Sequence, residues 1–359
     1  MHICHINLAR GFRGGERQTL LLIKGLSKRN IKQSLICRKN DRLAEKANEL
    51  DSLNIVSIDK PFLFNSLNTK HCDLMHAHEG RASHFAFYSH LATKRPYVIS
   101  RRIPNIPKSS APTTFVYKSA EKIIALSHAI KSNLLNYHNE LDIDVIPSMC
   151  SDLTTNQSNV DQLRRKYQGK TLIGHIGALV NHHKGQQTII HAARELAISH
   201  PNMHFLLLGD GRDEVWLKEQ ASLLSNVEFV GFVDNVGDYL KLFDLFVFPS
   251  NEEGFGSILL DAMQFRVPII ASKVDGIPDF IEHRKNGLLI EPGSSRQLVD
   301  SIIELSGNKI LQEKLVQQGE KTVEKHSADL IAAAYLEVYH QLLPQYKRNP
   351  YLWHRKLHI

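Results

Sequence analysis

Short apolar runs alternate with helical patterns along most of the chain, and this alternation limits the fold more than any other feature of the sequence. Strand-like runs include HICHINL, DLMHAH and YVIS in the first half, and TLIGHIGAL, LFVFPS and PIIAS in the second. Between the first two strand-like runs of the chain, Glu16 to Leu26 carries apolar residues at helical spacing. The alternation predicts an α/β protein whose parallel sheets are covered by helices on both faces.

The length of the chain predicts more than one domain. A chain of 359 residues exceeds the size at which a single core usually keeps growing. The stretch SMCSDLTTNQSNVDQ, near residues 148–162, is rich in Ser, Thr and Asn and indicates a linker. We therefore expect two doubly wound Rossmann-like domains, 1–160 and 161–330, facing a central cleft.

The net charge of the chain favours anionic partners. The formal charge is +7 at pH 7, which suits nucleic acid, an anionic membrane surface or a phosphorylated small molecule. The sequence has no recognisable nucleic-acid-binding motif, so nucleic acid is not expected. No run approaches the roughly 18 apolar residues of a membrane span. The start, MHICHINLAR, does not resemble a secretory signal, so a cytoplasmic location is expected.

The stretch ARGFRGGERQTLLL predicts a strand, a glycine-rich turn and a helix. In that arrangement backbone N–H groups can approach a phosphate, and Gly14 and Gly15 are the candidate residues for donor binding. The glycine spacing matches neither the dinucleotide fingerprint nor the P-loop. A tight turn without a ligand is the alternative interpretation.

Two polar groups follow strands of the first half. In LMHAHEGR, His76 and His78 lie two apart and so share a face of the strand. A zinc site needs three or four ligands and no third ligand stands nearby in the sequence, so contacts with substrate hydroxyls are favoured over metal binding. In SRRIPNIPKSS, Arg101 and Arg102 follow the strand YVIS and are expected on the acceptor side.

In the second half, GHIGALVNHHKGQQTIIHAA again predicts strand, loop and helix. Lys184 precedes Gly185 at the expected start of the helix. A lysine there adds its charge to the helix dipole and the free amides, which favours binding of a pyrophosphate. An exposed loop lysine is the alternative interpretation.

The stretch NEEGFGSILLD places acids beside a helix start. Glu253 would lie in the loop after LFVFPS, and Asp261 would lie in the first turns of the next helix. The amides of Phe255, Gly256 and Ser257 could bind phosphate while the two carboxylates bind hydroxyls. This division suits a sugar nucleotide.

The block FVFPSNEEGFGSILLDAMQFRVPIIASKVDGIPDFIEHRKNGLLIEPGS resembles the C-terminal signature of family 4 retaining glycosyltransferases, which have the GT-B fold. The motifs GGER, HAHE and HKGQ fit that family in order and spacing. The resemblance implies that Glu253 contacts the donor sugar, Asp261 the nucleotide ribose, Lys184 the diphosphate and Gly15 the phosphates. It also implies that His78 faces the reacting sugars.

The chain departs from the family pattern at two positions. The second acid of the signature is Asp261 rather than glutamate, and Ala178 stands where an arginine is often found. Lys184 would then carry much of the side-chain charge at the diphosphate. The family's fold also implies that a C-terminal helix and tail, 331–359, return to the first domain.

These observations predict a hexosyl- or related glycosyltransferase that uses a nucleotide-sugar donor and a glycan acceptor, without a metal or other cofactor, and the resemblance implies retention of configuration. Synthesis of lipopolysaccharide or another cell-surface glycan is expected. The basic and aromatic tail QYKRNPYLWHRKLHI predicts peripheral contact with the anionic inner face of the membrane and a lipid-linked acceptor. The alternatives are a catalytically weak sugar-nucleotide-binding or scaffold subunit, a phosphorylase and an epimerase.

Overall fold

The computed structural model describes residues 1–51, 53–59, 62–108 and 110–343, and the chain divides into two compact units. The first unit contains Met1–Met149 and the chain from Lys325, and the second contains Cys150–Glu324. The second unit therefore begins at Cys150, before the expected boundary at residue 160. The chain returns to the first unit at Lys325, before the expected boundary at residue 330.

The stretch 148–162 is only partly a linker, and the expectation of a linker throughout is wrong. A helix, Gln157–Lys166, begins inside it. The side chain of Asn156 caps this helix by accepting from the N–H of Ser158 at 3.0 Å and of Asn159 at 3.4 Å. The polar residues that mark linkers are also the preferred helix N-caps, so composition alone does not separate the two.

The first unit contains a seven-stranded parallel sheet with the order β3-β2-β1-β4-β5-β6-β7. Its strands are β1 (His2–Asn7), β2 (Lys32–Arg38), β3 (Asn54–Ile58), β4 (Leu74–Ala77), β5 (Tyr97–Arg101), β6 (Lys122–Ala125) and β7 (Ile143–Val145). Its helices are Gly14–Ser27, Arg42–Ala47, Gly80–Thr93, Ala111–Lys118, His128–Tyr137 and Ala328–Leu342, with a 3-10 helix at Phe62–Thr69.

The helix Ala328–Leu342 packs in the first unit against the helix Gly14–Ser27. The two helices approach so closely that a Cβ on Gly25 would lie 2.6 Å from the Cβ of Ala332. The close approach therefore requires glycine at this position. The C-terminal tail, on which the expected membrane contact partly rests, lies outside the described residues from 344 onward.

The second unit contains a six-stranded parallel sheet with the order β10-β9-β8-β11-β12-β13. Its strands are β8 (Thr171–Ile176), β9 (Met203–Leu208), β10 (Val227–Gly231), β11 (Leu245–Phe248), β12 (Ile269–Ser272) and β13 (Leu288–Ile290). Its helices are Gln157–Lys166, Asn181–Lys184, Gln186–Ser199, Glu214–Gln220, Val236–Leu240, Ser257–Gln264, Ser295–Gly307 and Lys309–Lys325, with a 3-10 helix at Ile277–Asp279.

Each sheet changes the direction of its strand order at one point, between β1 and β4 in the first unit and between β8 and β11 in the second. In open α/β sheets, ligands bind outside the carboxyl ends of the strands at such a point. The glycine loop follows β1, His78 follows β4, Lys184 follows β8 and Glu253 follows β11. The fold therefore brings the expected site residues to the switch point of each sheet.

Apolar side chains from strands and helices form a separate core in each unit. In the first unit the core includes Ile3, Leu22, Leu74, Val98 and Tyr335. In the second it includes Ile173, Ile189, Phe205, Val247, Leu298 and Ile302. None of the helices among the described residues is long and apolar enough to cross a membrane.

Candidate functional site

In the second unit, the loop after β8 is held against the loop after β11. The N–H of Asn251 donates to the carbonyl of His183 at 2.8 Å. Gly185 has a φ of +64°, and a Cβ on it would lie 2.1 Å from the carbonyl oxygen of Pro249. Only glycine permits this approach, which explains the glycine that follows Lys184.

Lys184 and Glu253 form an ion pair across these two loops. Their side chains retain 22% and 15% of their exposure, so both remain accessible. The ammonium also lies 5.1 Å from the centroid of the Phe248 ring. A phosphate that binds Lys184 would compete with Glu253 and leave the carboxylate available to accept from a hydroxyl.

The helix Ser257–Gln264 begins beside this ion pair. Gly256 precedes the helix with a φ of +83°, and no side chain in the described part of the chain caps the first turn. A Cβ on Gly256 would lie 3.3 Å from Cγ of Glu253. Phe255 is buried and stacks on Phe280 with ring centroids 4.5 Å apart. The amides of residues 255–257 therefore lie at a positive helix end close to Glu253.

Asp261, the second acid of the signature, is only 2% exposed. Its carboxylate accepts from the N–H of Ser151 at 2.7 Å and from the Ser151 hydroxyl at 3.1 Å. These bonds tie the helix to the first residues of the second unit. The role of Asp261 at the ribose stays a prediction.

Asp275 belongs to the same region but was missed in the sequence. Its carboxylate accepts from the N–H of Glu253 at 2.9 Å. Burial, followed by the neighbouring charges of Glu252 and Glu253, raises the pKa of this carboxyl above its usual value, against the lowering effect of the hydrogen bond. The available signal was its position after β12, which is the neighbour of β11 in the sheet.

In the first unit, a cation from the end of β5 lies beside the helix that follows the glycine loop. The helix begins at Gly14, and the carboxylate of Glu16 accepts from the N–H of Arg13 at 2.9 Å. A Cβ on Gly15 would lie 3.6 Å from Cδ of Arg102. Arg102 therefore lies alongside the first turn of the helix.

The structure separates the two arginines that were expected on the acceptor side. Arg102 bonds to Nδ1 of His78 through Nη2 at 3.3 Å. Arg101 instead donates to the side-chain oxygen of Asn105 at 2.7 Å and to the hydroxyl of Tyr117 at 3.2 Å. Of the two, only Arg102 joins the group formed by His78 and the glycine loop.

His78 is 1% exposed and belongs to a group of three buried histidines. The third member is His5 of β1, whose neighbour in the register with β4 is His76. A third imidazole therefore does stand near the pair, contrary to the sequence interpretation, because strands distant in the chain lie side by side. Burial lowers the pKa of all three: that of His5 falls to about 4, and those of the other two fall well below their ordinary value.

The nitrogens of these three rings lie within 4.8 Å of one another, a spacing at which they could share a metal ion. The Arg102 guanidinium, however, lies 3.3 Å from Nδ1 of His78, and a cation beside it would be repelled. The other ring nitrogens are hydrogen-bonded to one another, to Gln33 at 3.0 Å and to Ser100 at 2.8 Å. The arrangement suits a hydrogen-bond network better than a metal site.

A second group that could hold a metal ion lies on the surface beside Lys184. His182 and His183 contact the carboxylate of Glu252 at 3.4 and 3.1 Å. Two imidazoles and one carboxylate are a known ligand set for zinc. Because this group could hold a metal ion, the expectation that the reaction needs no metal stays a prediction.

Residues 157–322 match the family model described as glycosyl transferases group 1. The chain is similar to the N-acetyl-alpha-D-glucosaminyl L-malate synthase of Bacillus anthracis, with 27% identity over 241 residues, 64% of this chain and 62% of that protein. It is also similar to the lipopolysaccharide core biosynthesis glycosyltransferase LpsE of Rhizobium meliloti, with 28% identity over 159 residues, 43% of this chain and 46% of that protein. The matches span less than two thirds of these relatives.

The fold is similar to that of Anabaena Alr3699/HepE in complex with UDP and glucose. The TM-score is 0.82 at 21% sequence identity, and the match covers 95% of this chain and 100% of that chain. The expectation of two Rossmann-like domains of the GT-B type is confirmed.

Proposed function

We propose that this chain, whose residues 157–322 match the model of the group 1 glycosyl transferases, moves a sugar from a nucleotide sugar to a glycan hydroxyl with retention of configuration. The observation that carries the proposal is the accessible pair of Lys184 and Glu253, which lies beside the uncapped helix start at Gly256. A cation, a carboxylate and free amides are the groups needed to bind a diphosphate and a sugar together.

Each group of the second unit has a distinct role in this proposal. Lys184 binds the diphosphate and offsets the negative charge that develops on it as the sugar departs. Its release from Glu253 allows that carboxylate to accept from a donor-sugar hydroxyl. The amides of Phe255, Gly256 and Ser257 add fixed dipoles at the phosphate, and Asp261 binds the ribose.

Groups of the first unit also have roles in this proposal. The amides of Gly14 and Gly15 bind phosphate at the start of their helix. His78 is assigned to the reacting sugars. Lys184, the amides and the helix dipoles offset the charge of the leaving group, so the proposed reaction uses no metal.

We assign the acceptor to glycans of the cell surface, with a lipopolysaccharide core as the first choice. The relative from Rhizobium meliloti is named for lipopolysaccharide core biosynthesis, and the charge of +7 favours an anionic, lipid-linked acceptor. The enzyme would then work at the inner face of the membrane as a peripheral protein, with Arg101 and Arg102 on the acceptor side. The donor we propose is a UDP-sugar, because UDP is the nucleotide in the complex of similar fold.

Incubation with a panel of UDP- and GDP-sugars tests the activity. The proposal expects release of the nucleoside diphosphate that a glycan acceptor accelerates. Conversion of the donor sugar without an acceptor would identify an epimerase. A strict requirement for inorganic phosphate would identify a phosphorylase, and the absence of any turnover would favour a binding subunit.

Sedimentation with vesicles tests the location. Binding to vesicles that contain anionic phospholipid is expected at low salt and should weaken as salt screens the headgroups. Vesicles of neutral phosphatidylcholine are the matched control. Absence of binding at low salt, together with efficient transfer to a neutral soluble acceptor, would overturn the assignment to the membrane.

A further inference from the structure

We infer that Gln33, His5 and His78 form a hydrogen-bond chain that holds Arg102 as the anion-binding cation of the first unit. His5 is then a positioning residue, which contacts no substrate and acts through His78 on Arg102. The inference rests on the proposed transfer reaction for its kinetic consequence. Its structural content, the protonation pattern of the rings, does not depend on that reaction.

The direction of every hydrogen bond in the chain is fixed from both ends. A guanidinium can only donate, so Nδ1 of His78 accepts from Arg102 at 3.3 Å and the ring proton of His78 must be on Nε2. At the other end, the carbonyl of Ile23 can only accept, so the amide nitrogen of Gln33 faces it at 3.0 Å. The amide oxygen of Gln33 then accepts from Nε2 of His5 at 3.0 Å.

The proton positions assigned from the two ends agree at the bond between His5 and His78. Because the proton of His5 is on Nε2, its Nδ1 is an acceptor and lies 3.0 Å from the Nε2–H of His78. Each ring is therefore neutral and has one defined tautomer. Burial, which lowers the pKa of both rings, keeps them neutral at pH 7.

His76 supports the chain without belonging to it. Its ring nitrogens bond to the hydroxyls of Tyr339 at 2.6 Å and Ser100 at 2.8 Å. Its ring lies against that of His78 with centroids 3.9 Å apart. His76 therefore restricts where the ring of His78 can lie, while His5 determines which nitrogen carries the proton.

Arg102 needs an anion that the described part of the chain does not supply. Within that part it forms no ion pair, and its Nε is buried without a partner. Burial lowers the pKa of Arg102, and the charge of Glu16 opposes this effect. One carboxylate oxygen of Glu16 already accepts from the N–H of Arg13 at 2.9 Å. The residue is half-buried, and a cation partly withdrawn from water without an ion-pair partner is costly, so a bound oxyanion would be favoured here.

The neighbouring backbone indicates which anion fits. Arg102 lies beside Gly15 in the first turn of a helix, where backbone amides favour phosphate. The anion is therefore a phosphate group of a substrate. The diphosphate of the donor and a phosphorylated acceptor offer the same chemistry, so the experiment must separate them.

Nitrogen NMR of protein labelled with ¹⁵N-histidine tests the chain directly. The His78 signals are assigned by their loss in the variant His78→Asn. The inference expects Nε2 to be protonated and Nδ1 to have the shift of an unprotonated ring nitrogen at pH 7. A proton on Nδ1 of His78, or a charged ring, would overturn it whether or not the protein transfers any sugar.

Kinetics test the positioning role. His5→Leu removes the acceptor for His78, and we expect kcat/KM to fall by up to about tenfold, the upper end of the scale for one hydrogen bond between neutral groups. His5→Asn retains an acceptor near the position of Nδ1 and should recover part of the loss. In the background Arg102→Ala, His5→Leu should have no further effect, because the two residues act through one contact.

Tyr97→Phe is the matched control, because it removes a buried hydrogen bond at the opposite end of β5 from Arg102. It should lower the melting temperature and leave kcat/KM unchanged. If His5→Leu unfolds the protein, the comparison of His5→Asn in the two backgrounds still decides the point. Equal losses in both backgrounds would overturn the inference.

Two arms identify the source of the phosphate. If the donor supplies it, Arg102→Ala weakens binding of UDP about tenfold or more, the scale of one charge-assisted hydrogen bond. If the acceptor supplies it, UDP binding is unchanged and the KM for a phosphorylated acceptor rises while that for its dephosphorylated form does not. An unchanged response in both arms would contradict anion binding by Arg102.

Discussion

The two units build their glycine-containing loops in the same way, but the cations beside these loops have different partners. Each has a strand, a glycine-containing loop and a helix at the switch point of its sheet. Lys184 of the second unit pairs with the carboxylate of Glu253, whereas Arg102 of the first bonds to the neutral ring of His78. The second unit thus holds a cation paired with an acid, whereas the cation of the first unit forms no ion pair with any residue that the structure describes.

Of the replacements that test this contrast, that of Glu253 should change the rate of transfer most. We expect Glu253→Ala to lower transfer roughly 100- to 1,000-fold, the scale for loss of a preorganised catalytic hydrogen bond. The fold should survive, because the side chain lies in a loop and forms an ion pair rather than core contacts. A transfer assay and a melting curve measure both outcomes.

Glu252→Ala is the matched control for that variant. Glu252 is the preceding acid of the same loop, but it pairs with the exposed rings of His182 and His183. Its loss should change transfer little. Equal effects of the two substitutions would mean that the loop needs negative charge and not the Glu253 carboxylate.

Replacement of Lys184 should weaken ligand binding rather than the fold. We expect Lys184→Ala to reduce the affinity for a nucleoside diphosphate by about 1.5–3 kcal/mol, the scale of a charge-assisted hydrogen bond. Calorimetric titration with UDP measures the change. Lys218, which pairs with Glu214 on an exposed helix, is the control position. Unchanged affinity in Lys184→Ala would move the phosphate site elsewhere.

Acid should weaken the first unit more than the second. A buried histidine with a lowered pKa takes up its proton only on unfolding, so stability falls as pH drops below 6.5 toward the folded pKa, by at most about 1.4 kcal/mol per pH unit for each ring. The first unit buries His5, His76 and His78, and the second buries His175, whose pKa is lowered to about 4. The half-buried histidines His2 of the first unit and His204 of the second also have a lowered pKa, mainly because of burial.

Hydrogen exchange of the whole chain, resolved by peptide, measures this difference. Between pH 6.5 and 5, protection in β1 and β4 should fall more steeply than in β8 and β11. An equal fall in both sheets would show that the histidine group is not kept neutral by burial.

The smallest expected effect concerns the bond between Ser151 and Asp261. Ser151→Ala removes the hydroxyl that donates at 3.1 Å but leaves the backbone bond at 2.7 Å. We expect about 1 kcal/mol lower stability in urea unfolding, the typical net contribution of one hydrogen bond, because the backbone bond remains. Stability equal to that of the wild type would mean that the backbone bond alone fixes Asp261.

The strands, the helices and the loops that carry the site were predictable because each depends on local pattern. Apolar runs marked the strands, and the glycines beside Lys184 and Glu253 marked the turns. The ion pair between Lys184 and Glu253 was not predictable, because it depends on the order of β8 and β11 in the sheet.

The residues that sequence reasoning missed share this dependence on strand order. His5 reaches His78 only because β1 and β4 are neighbours, and Asp275 reaches Glu253 only because β11 and β12 are neighbours. His5 stands in no motif, and Asp275 lies within the quoted C-terminal signature at a position to which the resemblance assigned no role. The separation of Arg101 from Arg102 likewise depends on contacts with Asn105 and with His78, which adjacency in the sequence cannot reveal.

The central claim is a retaining transfer that needs Glu253, and proton NMR of slow donor hydrolysis tests it most directly because no acceptor has to be known. With an α-linked UDP-sugar, the account predicts that the α-anomer of the free sugar appears first, and that Glu253→Ala removes this signal. First appearance of the β-anomer, hydrolysis that persists unchanged in Glu253→Ala, or the absence of hydrolysis and transfer with every nucleotide sugar would contradict it.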